Sequence, residues 1–501
     1  MLIKDLKTTK EFFAKQVSQP IFGVGVWAFN RLGLEEVFDD YRLLCLRHSP
    51  DTELMEKDLK VLSLEKGLGN KHLDVPRNST SILRHERTIA LLKSFKNPLI
   101  IPYKSSSGIE SVCQEYNWRL GIAPVKFGKK MFENKVFFRR VLDGLGIAVP
   151  SGLIIPFSQL SFKLGKEKLG LPFVIQHPTR GGGKGTFFIH TQEDFALAFL
   201  KLIKPPQIEE GEEAKADDVP KEIVIAKFIK GPSPSITACV TRQGILSTNL
   251  QQQVLDIPEL FSPKKGSGLF CGHDWTTSDS LSHSLNQQAN QIAQRVGYYF
   301  QKQGYQGIFG LDFIADERAE KLYLVECNPR MTGVFPTLEM ALTESGAPPL
   351  LAFHALEYLN ADYELDVVAI NKLLQQPKKG AHLFLHNLTE RWAYNFGVLK
   401  PGVYTLVKNR PQFQRSGYKL RDIQASGEFL ITEGVPTYKN YFSPNRRLCR
   451  ILTKDAVLEK PGSLNAWARQ VAGAVYKEFK IRPIHFAKIK KLFNKNFLIK
   501  G

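Results

Sequence analysis

The sequence predicts a mixed α/β protein of three consecutive units, which comprise residues 1–125, 126–375 and 376–501. Its 501 residues suggest about three domains of roughly 100–200 residues each. In the first unit, short apolar runs alternate with helix-like stretches, and the second is rich in strand pairs joined by turns. The third combines strand-like runs with one amphipathic helix, which predicts a mostly β unit.

The first unit contains the strand-like runs 20–26, 41–46, 61–64 and 98–102. Within the first run, Gly23-Val24-Gly25 is similar to part of a dinucleotide-binding turn, but Asn30 stands near the place of the missing third glycine. We therefore favour an ordinary strand-to-helix turn at these glycines.

The third unit contains the strand-like runs 381–385, 403–407, 428–432 and 448–452, and a helix is predicted over residues 464–479. The second unit is interrupted by residues 204–221, which hold six acids, three prolines and no aromatic residue. Such a segment cannot bury enough apolar surface to order itself, so we expect a disordered acidic surface loop.

The composition is that of a folded globular protein with a basic charge balance. Hydrophobic residues make up 43% of the chain, and 68 Lys and Arg against 49 Asp and Glu give a formal charge of +19. No run of about 18 apolar residues predicts a membrane span, and the first residues lack a signal-peptide apolar region. The six cysteines are widely spaced, which indicates free thiols. We expect a cytoplasmic protein.

The excess charge is concentrated in two stretches. Residues 126–140 carry a net charge of +5, with Glu133 as their one acid, and residues 477–501 carry +7, so together they supply 12 of the 19 charges. The first stretch suits a phosphate site better than a nucleic acid, and we expect no nucleic-acid partner. The basic, apolar tail 486–500 could lie weakly on an anionic membrane, or it could pack on its own domain.

A glycine-rich loop joins two strand-like runs, 171–176 and 187–189, and predicts a hairpin. Glycines let consecutive backbone N–H groups turn toward an anion, and a lysine adds a point charge, as binding of a triphosphate requires. The alternative is a flexible hairpin tip. The residues of the loop are Gly181, Gly182, Gly183, Lys184 and Gly185.

A second hairpin is predicted to place Asp312 opposite Glu326. Their midpoint, residue 319, falls in a polar turn between two strand-like runs, and alternation places Glu326 on the face of Leu322 and Leu324. Two carboxylates so placed repel each other unless one is protonated or a cation lies between them.

Oxygen ligands of this kind suit Mg²⁺, which one or two carboxylates commonly hold together with substrate phosphates. Asn328 adds a third oxygen on the same face, and Arg330 follows at the next alternate position. The alternative is a solvated polar face of the hairpin.

Together these motifs resemble the ATP-grasp superfamily of carboxylate–amine ligases and biotin carboxylases. The resemblance covers about residues 126–345 and rests on four pieces in the family's order: Asn134 to Phe138 with Gly146 to Pro150, the strand and glycine loop from Leu171 to Gly185, Ile223 to Gly231, and Gly310 to Phe313 with Val325 to Arg330. It implies an ATP-grasp core between an N-terminal pre-ATP-grasp domain and a C-terminal domain.

The resemblance also implies a role for each motif residue. Lys135 and the glycine loop would contact ATP phosphates, and Gln176 would reach the nucleotide from the preceding strand. Lys227, Phe228 and Ile229 would bracket adenine. The metal ligands would be Asp312, Glu326 and Asn328, for one or two Mg²⁺ ions with Mn²⁺ as an alternative. The catalytic residues would be Arg330, which would stabilise the acyl-phosphate step or hold the acceptor carboxylate, and Lys184.

Two positions depart from the family pattern. Gln176 stands where the family usually has a lysine, and Ala226 where the hinge often begins with an acid. These two changes leave a degenerate nucleotide-binding relative as one alternative.

The function that the resemblance implies is an ADP-forming ligase. It would activate a carboxylate as an acyl phosphate and join it to an amine, such as that of an amino acid or small peptide. Alternatives are a carboxylase-like enzyme with a separate carrier and a basic membrane-surface protein. We interpret residues 262–275 as a lid or substrate loop, with an ordinary surface loop as the alternative. The family resemblance also makes a homodimer plausible.

Overall fold

A computed structural model describes residues 1–69, 71–181, 185–203, 219–261, 268–316, 318 and 320–484. Helices and sheets are mixed along the chain, which confirms the α/β prediction. The lysine-bearing centre of the glycine loop, most of the acidic insertion 204–221, residues 262–267 and the basic tail lie outside the described residues.

The N-terminal region forms a parallel sheet with helices around it. Its strands are β1 Leu2–Ile3, β2 Ile21–Gly25, β3 Tyr41–Cys45, β4 Lys60–Ser63, β5 Leu99–Pro102 and β6 Arg119–Leu120, and its helices are α1 Leu6–Gln16, α2 Pro50–Met55, α3 Ser79–Leu83, α4 Glu86–Lys93 and α5 Ser107–Glu115. The sheet has the order β4-β3-β2-β5-β6. Strands β3 and β4 are added on one side of β2 and strands β5 and β6 on its other side, so the order of addition reverses between β2 and β5. In parallel sheets, ligands commonly bind beyond the carboxyl ends of the strands at such a reversal.

Gly23 and Gly25 lie within β2 and make room for neighbouring side chains. A Cβ on Gly23 would lie 2.0 Å from the hydroxyl of Tyr41, and one on Gly25 would lie 3.2 Å from Cγ of Arg31. The glycines therefore serve close packing at the end of the strand, and the chain turns directly after them into a 3₁₀ helix, Ala28–Arg31, in line with the strand-to-helix turn favoured from the sequence.

The central region contains two antiparallel sheets. Its strands are β7 Gly152–Pro156, β8 Phe173–Gln176, β9 Thr186–Ile189, β10 Glu222–Lys227, β11 Pro234–Thr241, β12 Gly244–Ser247, β13 Gln251–Leu255, β14 Phe270–Asp274, β15 Gly307–Asp316, β16 Lys321–Asn328 and β17 Glu364–Leu365. Its helices are α6 Lys135–Gly144, α7 Phe162–Leu169, α8 Gln192–Ile203, α9 His283–Lys302, α10 Thr337–Glu344, α11 Leu350–Leu359 and α12 Val367–Leu374.

The smaller sheet has the order β7-β10-β8-β9 and packs one face against α7 and α8. The predicted glycine hairpin is β8–β9, with Gln176 opposite Thr186. The β15–β16 hairpin forms one edge of the larger sheet, whose two faces are covered by α9 on one side and α11 on the other.

The C-terminal region is mostly β, as predicted. Its strands are β18 Ala381–His386, β19 Ala393–Asn395, β20 Gly402–Val407, β21 Arg410–Arg415, β22 Phe429–Thr432, β23 Tyr441–Phe442, β24 Arg447–Thr453, β25 Leu458–Lys460, β26 Ser463–Leu464 and β27 Ile481–Pro483, and its helix is α13 Ala466–Phe479. This helix starts after Asn465, whose side chain accepts from the N–H of Ala468.

The larger sheet continues across the predicted boundary at residue 375. Strand β14 pairs with β18, so within the described residues one sheet of 11 strands runs from β16 to β21. Parallel pairing of β1 with β17 joins the N-terminal and central regions, and the Asp51 carboxylate accepts from the N–H groups of Gly434 and Val435 in the C-terminal region. The division into three units stays a prediction, and residues of all three regions contribute to one hydrophobic core.

The lid interpretation of residues 262–275 is wrong for 270–275, because β14 pairs on both sides and Trp275 is buried, with Nε1 3.1 Å from Oε1 of Gln251. All six cysteines are free and buried. Among the described residues, no helix combines the length and apolar composition that crossing a bilayer requires.

Glu339 on α10 is a buried carboxyl whose ionisation should oppose folding. Burial raises its pKa to about 8; the N–H groups of Leu351 and Leu350 lower it in part, and Glu35 raises it. Because the folded state then holds a proton that the unfolded state releases, stability should fall by on the order of 4 kcal/mol as the pH rises from about 5 to about 9.

We expect Glu339→Gln to remove this pH dependence, because glutamine stays neutral. Melting temperatures measured across that pH range should rise relative to the native chain only toward alkaline pH. The control is Glu344→Gln, on the same helix at a partly exposed ion pair with Lys454. Equal pH profiles for the Glu339 variant and the native chain would contradict the prediction.

Candidate functional site

The β15–β16 hairpin places Asp312 directly opposite Glu326, and Gly310 opposite Asn328. A bulge between Asp312 and Phe313 shifts the register, so that Phe313 pairs with Leu324. The prediction that Glu326 shares a face with Leu322 and Leu324 is therefore wrong. The bulge turns these leucines into the core and leaves the carboxylates together on the other face.

Asp312 is held by two amide side chains. Its Oδ2 accepts from Nδ2 of Asn328 at 2.9 Å, and its Oδ1 accepts from Nε2 of Gln253, on β13, at 3.1 Å. Burial raises the pKa of Asp312 and the charge of Glu326 raises it further, while Arg330, Asn328 and Lys135 act in the opposite direction. Two facing carboxylates in a partly buried setting favour a cation nearby.

Lys135 supplies a cation to this pair. It is the first residue of α6, whose N-terminus is capped by Asn134 through the N–H groups of Val136 and Phe137. Its Nζ lies 3.2 Å from Oε1 of Glu326 and 3.1 Å from the carbonyl oxygen of Arg180, and its side chain is only 4% exposed. The structure thus brings Lys135, the start of the glycine loop and the metal candidates together.

The glycine loop begins and ends beside these residues. A Cβ on Gly181 would lie 3.9 Å from Oε1 of Glu326, and one on Gly185 would lie 2.6 Å from the carbonyl oxygen of Arg180. Gly185 is therefore required by the close approach of the backbone. Gly182, Gly183 and Lys184 lie outside the described residues, so their predicted phosphate contacts stay predictions.

The predicted nucleotide residues border the face of the smaller sheet that lies opposite the core formed with α7 and α8. Gln176 is half-buried, and it pairs with Val224 on the side opposite the apolar core. The N–H of Lys227 donates to the carbonyl oxygen of Ser151 at 2.7 Å. Within the described part of the chain, the N–H groups of Phe228 and Ile229 donate to no other residue, which leaves them available to a ligand.

Arg330 is the most heavily bonded side chain of the site. Its Nε donates to Oε1 of Glu133 at 2.7 Å, Nη1 donates to the Tyr103 hydroxyl and to the Met331 carbonyl oxygen, and Nη2 donates to Oδ1 of Asn328 at 2.8 Å. Burial acts to lower the pKa of Arg330, but Tyr103, Glu133 and Glu326 more than offset it, so the pKa lies above its usual value. Four of the five guanidinium N–H groups are used within the protein.

The Asn328 amide is oriented by the same contacts. Its nitrogen faces Asp312 and its oxygen accepts from Arg330. The oxygen predicted as a third metal ligand is thus engaged by a cation, and the metal role of Asn328 stays a prediction.

Sequence analysis missed four residues that shape the site: Glu133, Tyr103, Gln253 and Arg31. Glu133 had a signal, since it is the one acid of the basic stretch 126–140. Tyr103 follows β5, and the guanidinium carbons of Arg31 and Arg330 lie 5.5 and 5.3 Å from its ring centroid. The order of the strands in the sheet places Gln253 at the site, and a short 3₁₀ helix places Arg31 there. No local sequence pattern reveals either placement.

The donor set at the hairpin fits a hard divalent cation. The two facing carboxylates offer oxygen ligands, and their mutual repulsion would be relieved by a positive charge. In the residues that the structure describes, no cluster of three His, Cys, Asp or Glu side chains is placed to hold a metal. Mg²⁺ is commonly held by one or two carboxylates, and waters and phosphates complete its coordination.

We expect Glu133→Gln to destabilise the protein, because it leaves the Arg330 guanidinium without its ionic partner in a largely buried setting. The melting temperature should fall by a few degrees. The matched control is Glu222→Gln, which breaks the exposed pair with Arg140 and should change it by less than about one degree. Similar shifts for the two variants would contradict a structural role for the Glu133–Arg330 pair.

Comparison with known proteins gives three results. A sequence model of the ATP-grasp domain family matches residues 132–334. The chain is 22% identical over 247 residues to the α subunit of mitochondrial methylcrotonoyl-CoA carboxylase from Arabidopsis thaliana. This match covers 47% of the chain and only 29% of the length of that relative.

Solved structures share the fold. Carboxyaminoimidazole ribonucleotide synthase from Aspergillus clavatus, crystallised with ATP, aligns with a TM-score of 0.51 at 13% identity over 91% of this chain and 97% of that one. Biotin carboxylase from Campylobacter jejuni aligns with a TM-score of 0.55 at 12% identity over 92% of each chain. The biotin carboxylase domain of 2-oxoglutarate carboxylase from Hydrogenobacter thermophilus gives 0.53 at 13% over 87% and 86%.

The carboxylate hairpin, the lysine of α6 and the glycine hairpin all lie within the matched segment, in the family's order. Residues 132–334 of this chain are an ATP-grasp domain.

Proposed function

We propose that this protein is an ADP-forming ligase that phosphorylates a substrate carboxylate with ATP and joins the resulting acyl group to an amine. The observation that carries the proposal is the contact of Lys135 with Glu326, opposite Asp312 and next to Gly181, where the glycine loop begins. Phosphoryl transfer needs charge neutralisation and positioning of this kind, and little covalent work by the protein.

The nucleotide would lie between the two sheets of the central region. Phe228 and Ile229 would contact adenine through the backbone, Gln176 would reach the nucleotide from β8, and the loop 181–185 with Lys184 would cover the phosphates. Asp312 and Glu326, with Asn328, would hold Mg²⁺, which would neutralise phosphate charge when bound. Lys135 would then exchange Glu326 for phosphate oxygens, since its ammonium can reach both from the start of α6.

The acceptor would enter at the junction of the N-terminal and central regions. The carboxyl ends of β2 and β5 meet the site there, with Arg31 and Arg330 on the ring of Tyr103. Because most of the Arg330 N–H groups are engaged, Arg330 would position Asn328 and Tyr103 and offer its remaining N–H to the acyl phosphate. The buried guanidinium of Arg31, whose Nε has no hydrogen-bond partner among the described residues, favours an acceptor that itself carries a carboxylate, such as an amino acid or small peptide.

A carboxylase-like reaction is the second candidate. It is favoured by the Arabidopsis relative, a carboxylase subunit, and by the Hydrogenobacter structure, which contains bicarbonate. In this reaction bicarbonate would be the carboxylate that ATP phosphorylates, and a separate carrier or small molecule would receive the carboxyl group.

ADP release across a panel of carboxylates and amines, in buffers with and without bicarbonate, tests both candidates. Amine ligation predicts ADP release that needs one carboxylate and one amine, and carboxylation predicts release that needs bicarbonate. With the active pair, we expect Glu326→Gln to lower kcat/KM by about 100-fold or more, because it removes a metal-ligand charge.

The matched control is Asp316→Asn, an acid on the same hairpin that pairs with Lys321 at its far end. It should leave turnover close to that of the native chain. Turnover that persists in Glu326→Gln, or that falls equally in both variants, would overturn the metal assignment.

Lys135→Met should lower the affinity for a non-hydrolysable ATP analogue by about tenfold or more, because it removes a buried ammonium from the phosphate site. Lys130→Met, an exposed residue of the same basic stretch, is the control and should bind the analogue normally. Isothermal titration calorimetry measures both. Equal loss in the two variants would show that general charge, and not Lys135 itself, attracts the nucleotide.

A further inference from the structure

Glu133 follows a single turn of π-helix, Gly128–Phe132, and stands two residues before the start of α6. Its N–H donates to the carbonyl oxygen of Gly128 at 3.1 Å, which fixes the end of this turn. Turns of π-helix are rare and occur frequently at functional sites. The side chain of Glu133 is 21% exposed and extends to Arg330, so this turn brings a carboxylate to the proposed acceptor end of the site.

Arg330 uses only one oxygen of this carboxylate. Its Nε donates to Oε1 at 2.7 Å, while Oε2 accepts no hydrogen bond from the described residues. Apart from its chain neighbours, a Cβ on Gly128 would meet only the Glu133 carboxyl group within 4 Å in the described part of the chain, with Oε2 3.5 Å away. The space beside Oε2 is therefore open, and a carboxylate oxygen there can accept about two hydrogen bonds from a ligand.

The Glu133 carboxylate is ionised at neutral pH. Burial raises its pKa, but the charges of Arg330, Lys104 and Lys135 more than offset this, so the pKa lies below its usual value. Lys135 itself contacts Glu326, at 3.2 Å. Oε2 is thus a negatively charged acceptor in a partly buried setting, which favours a cation that can donate a hydrogen bond.

We infer that Oε2 of Glu133 binds the protonated amine of the acceptor. This role rests on the proposed ligase function, and it would distinguish amine ligation from the carboxylase-like reaction. An ammonium group donates charge-assisted hydrogen bonds, which are roughly twice as strong as those between neutral groups.

Arg31 would hold the other end of the same acceptor. Its guanidinium lies over the ring of Tyr103, which also contacts Arg330, and its buried Nε has no partner among the described residues. An amino acid or small peptide would then be bound through its ammonium group by Glu133 and through its carboxylate by Arg31.

A metal ion fits Oε2 less well than an ammonium group does. The other oxygen of the same carboxylate already contacts the Arg330 guanidinium, whose positive charge would repel a divalent ion. In the described ranges, Glu133 belongs to no cluster of three His, Cys, Asp or Glu side chains that could hold a metal. A purely structural tie between Glu133 and Arg330 would leave amine binding unaffected, and it is the alternative that the experiment tests.

The test uses hydroxylamine, which is uncharged at neutral pH and attacks an acyl phosphate to give a hydroxamate and phosphate. With the carboxylate that supports ADP release, methylammonium should lower the yield of hydroxamate, whether it blocks the subsite or takes the acyl group itself. Methanol, an uncharged molecule of the same size, should not. In Glu133→Gln, about tenfold more methylammonium should be needed for the same effect. Glu222→Gln, at an exposed ion pair, is the matched control and should respond as the native chain does.

Circular dichroism and melting temperatures establish that each variant is folded, and the comparison of methylammonium with methanol on the native chain does not depend on any variant. Equal effects of these two molecules on the native chain would overturn the role of Glu133, as would an unchanged response to methylammonium in Glu133→Gln. A chain that forms no hydroxamate from any carboxylate of the panel would instead overturn the proposed ligase function, and this role with it.

Discussion

The site depends on one unfavourable arrangement: two carboxylates fixed opposite each other on a hairpin. Asp312 and Glu326 cannot move apart, because backbone hydrogen bonds set their register. Their repulsion has to be offset by positive charge and hydrogen-bond donors, and the chain supplies both. Lys135 contacts Glu326, and two amides hold Asp312. Arg330 in turn orients one of those amides, so the chemistry of the whole site follows from this pair.

Sequence patterns predicted what is local and missed what is long-range. Strand alternation and the polar turn placed Asp312 opposite Glu326, and glycine spacing placed the β8–β9 hairpin. No sequence pattern predicted the bulge that turns Leu324 to the other face, because a bulge adds only one residue to an otherwise regular strand. Gln253 reaches Asp312 from another strand, and only the order of strands in the sheet brings the two together.

The regions around the ATP-grasp domain do more than flank it. The N-terminal region brings Tyr103 and Arg31 to Arg330, so this end of the site contains residues from outside the matched segment. The C-terminal strands extend the central sheet through β18 and bury His382 and Arg450 beside α10.

The bonds from Asp51 to Gly434 and Val435 span more than 380 residues of sequence, and the pairing of β1 with β17 joins two other distant segments. Contacts of such separation form late and slow folding, because the entropy of closing the intervening chain is lost before they stabilise anything. During synthesis, the N-terminal sheet would leave the ribosome well before its partners exist. Its apolar surface would stay open to solvent for tens of seconds at typical elongation rates of about 5–20 residues per second. A nascent chain of this architecture therefore has a long interval in which chaperones can act.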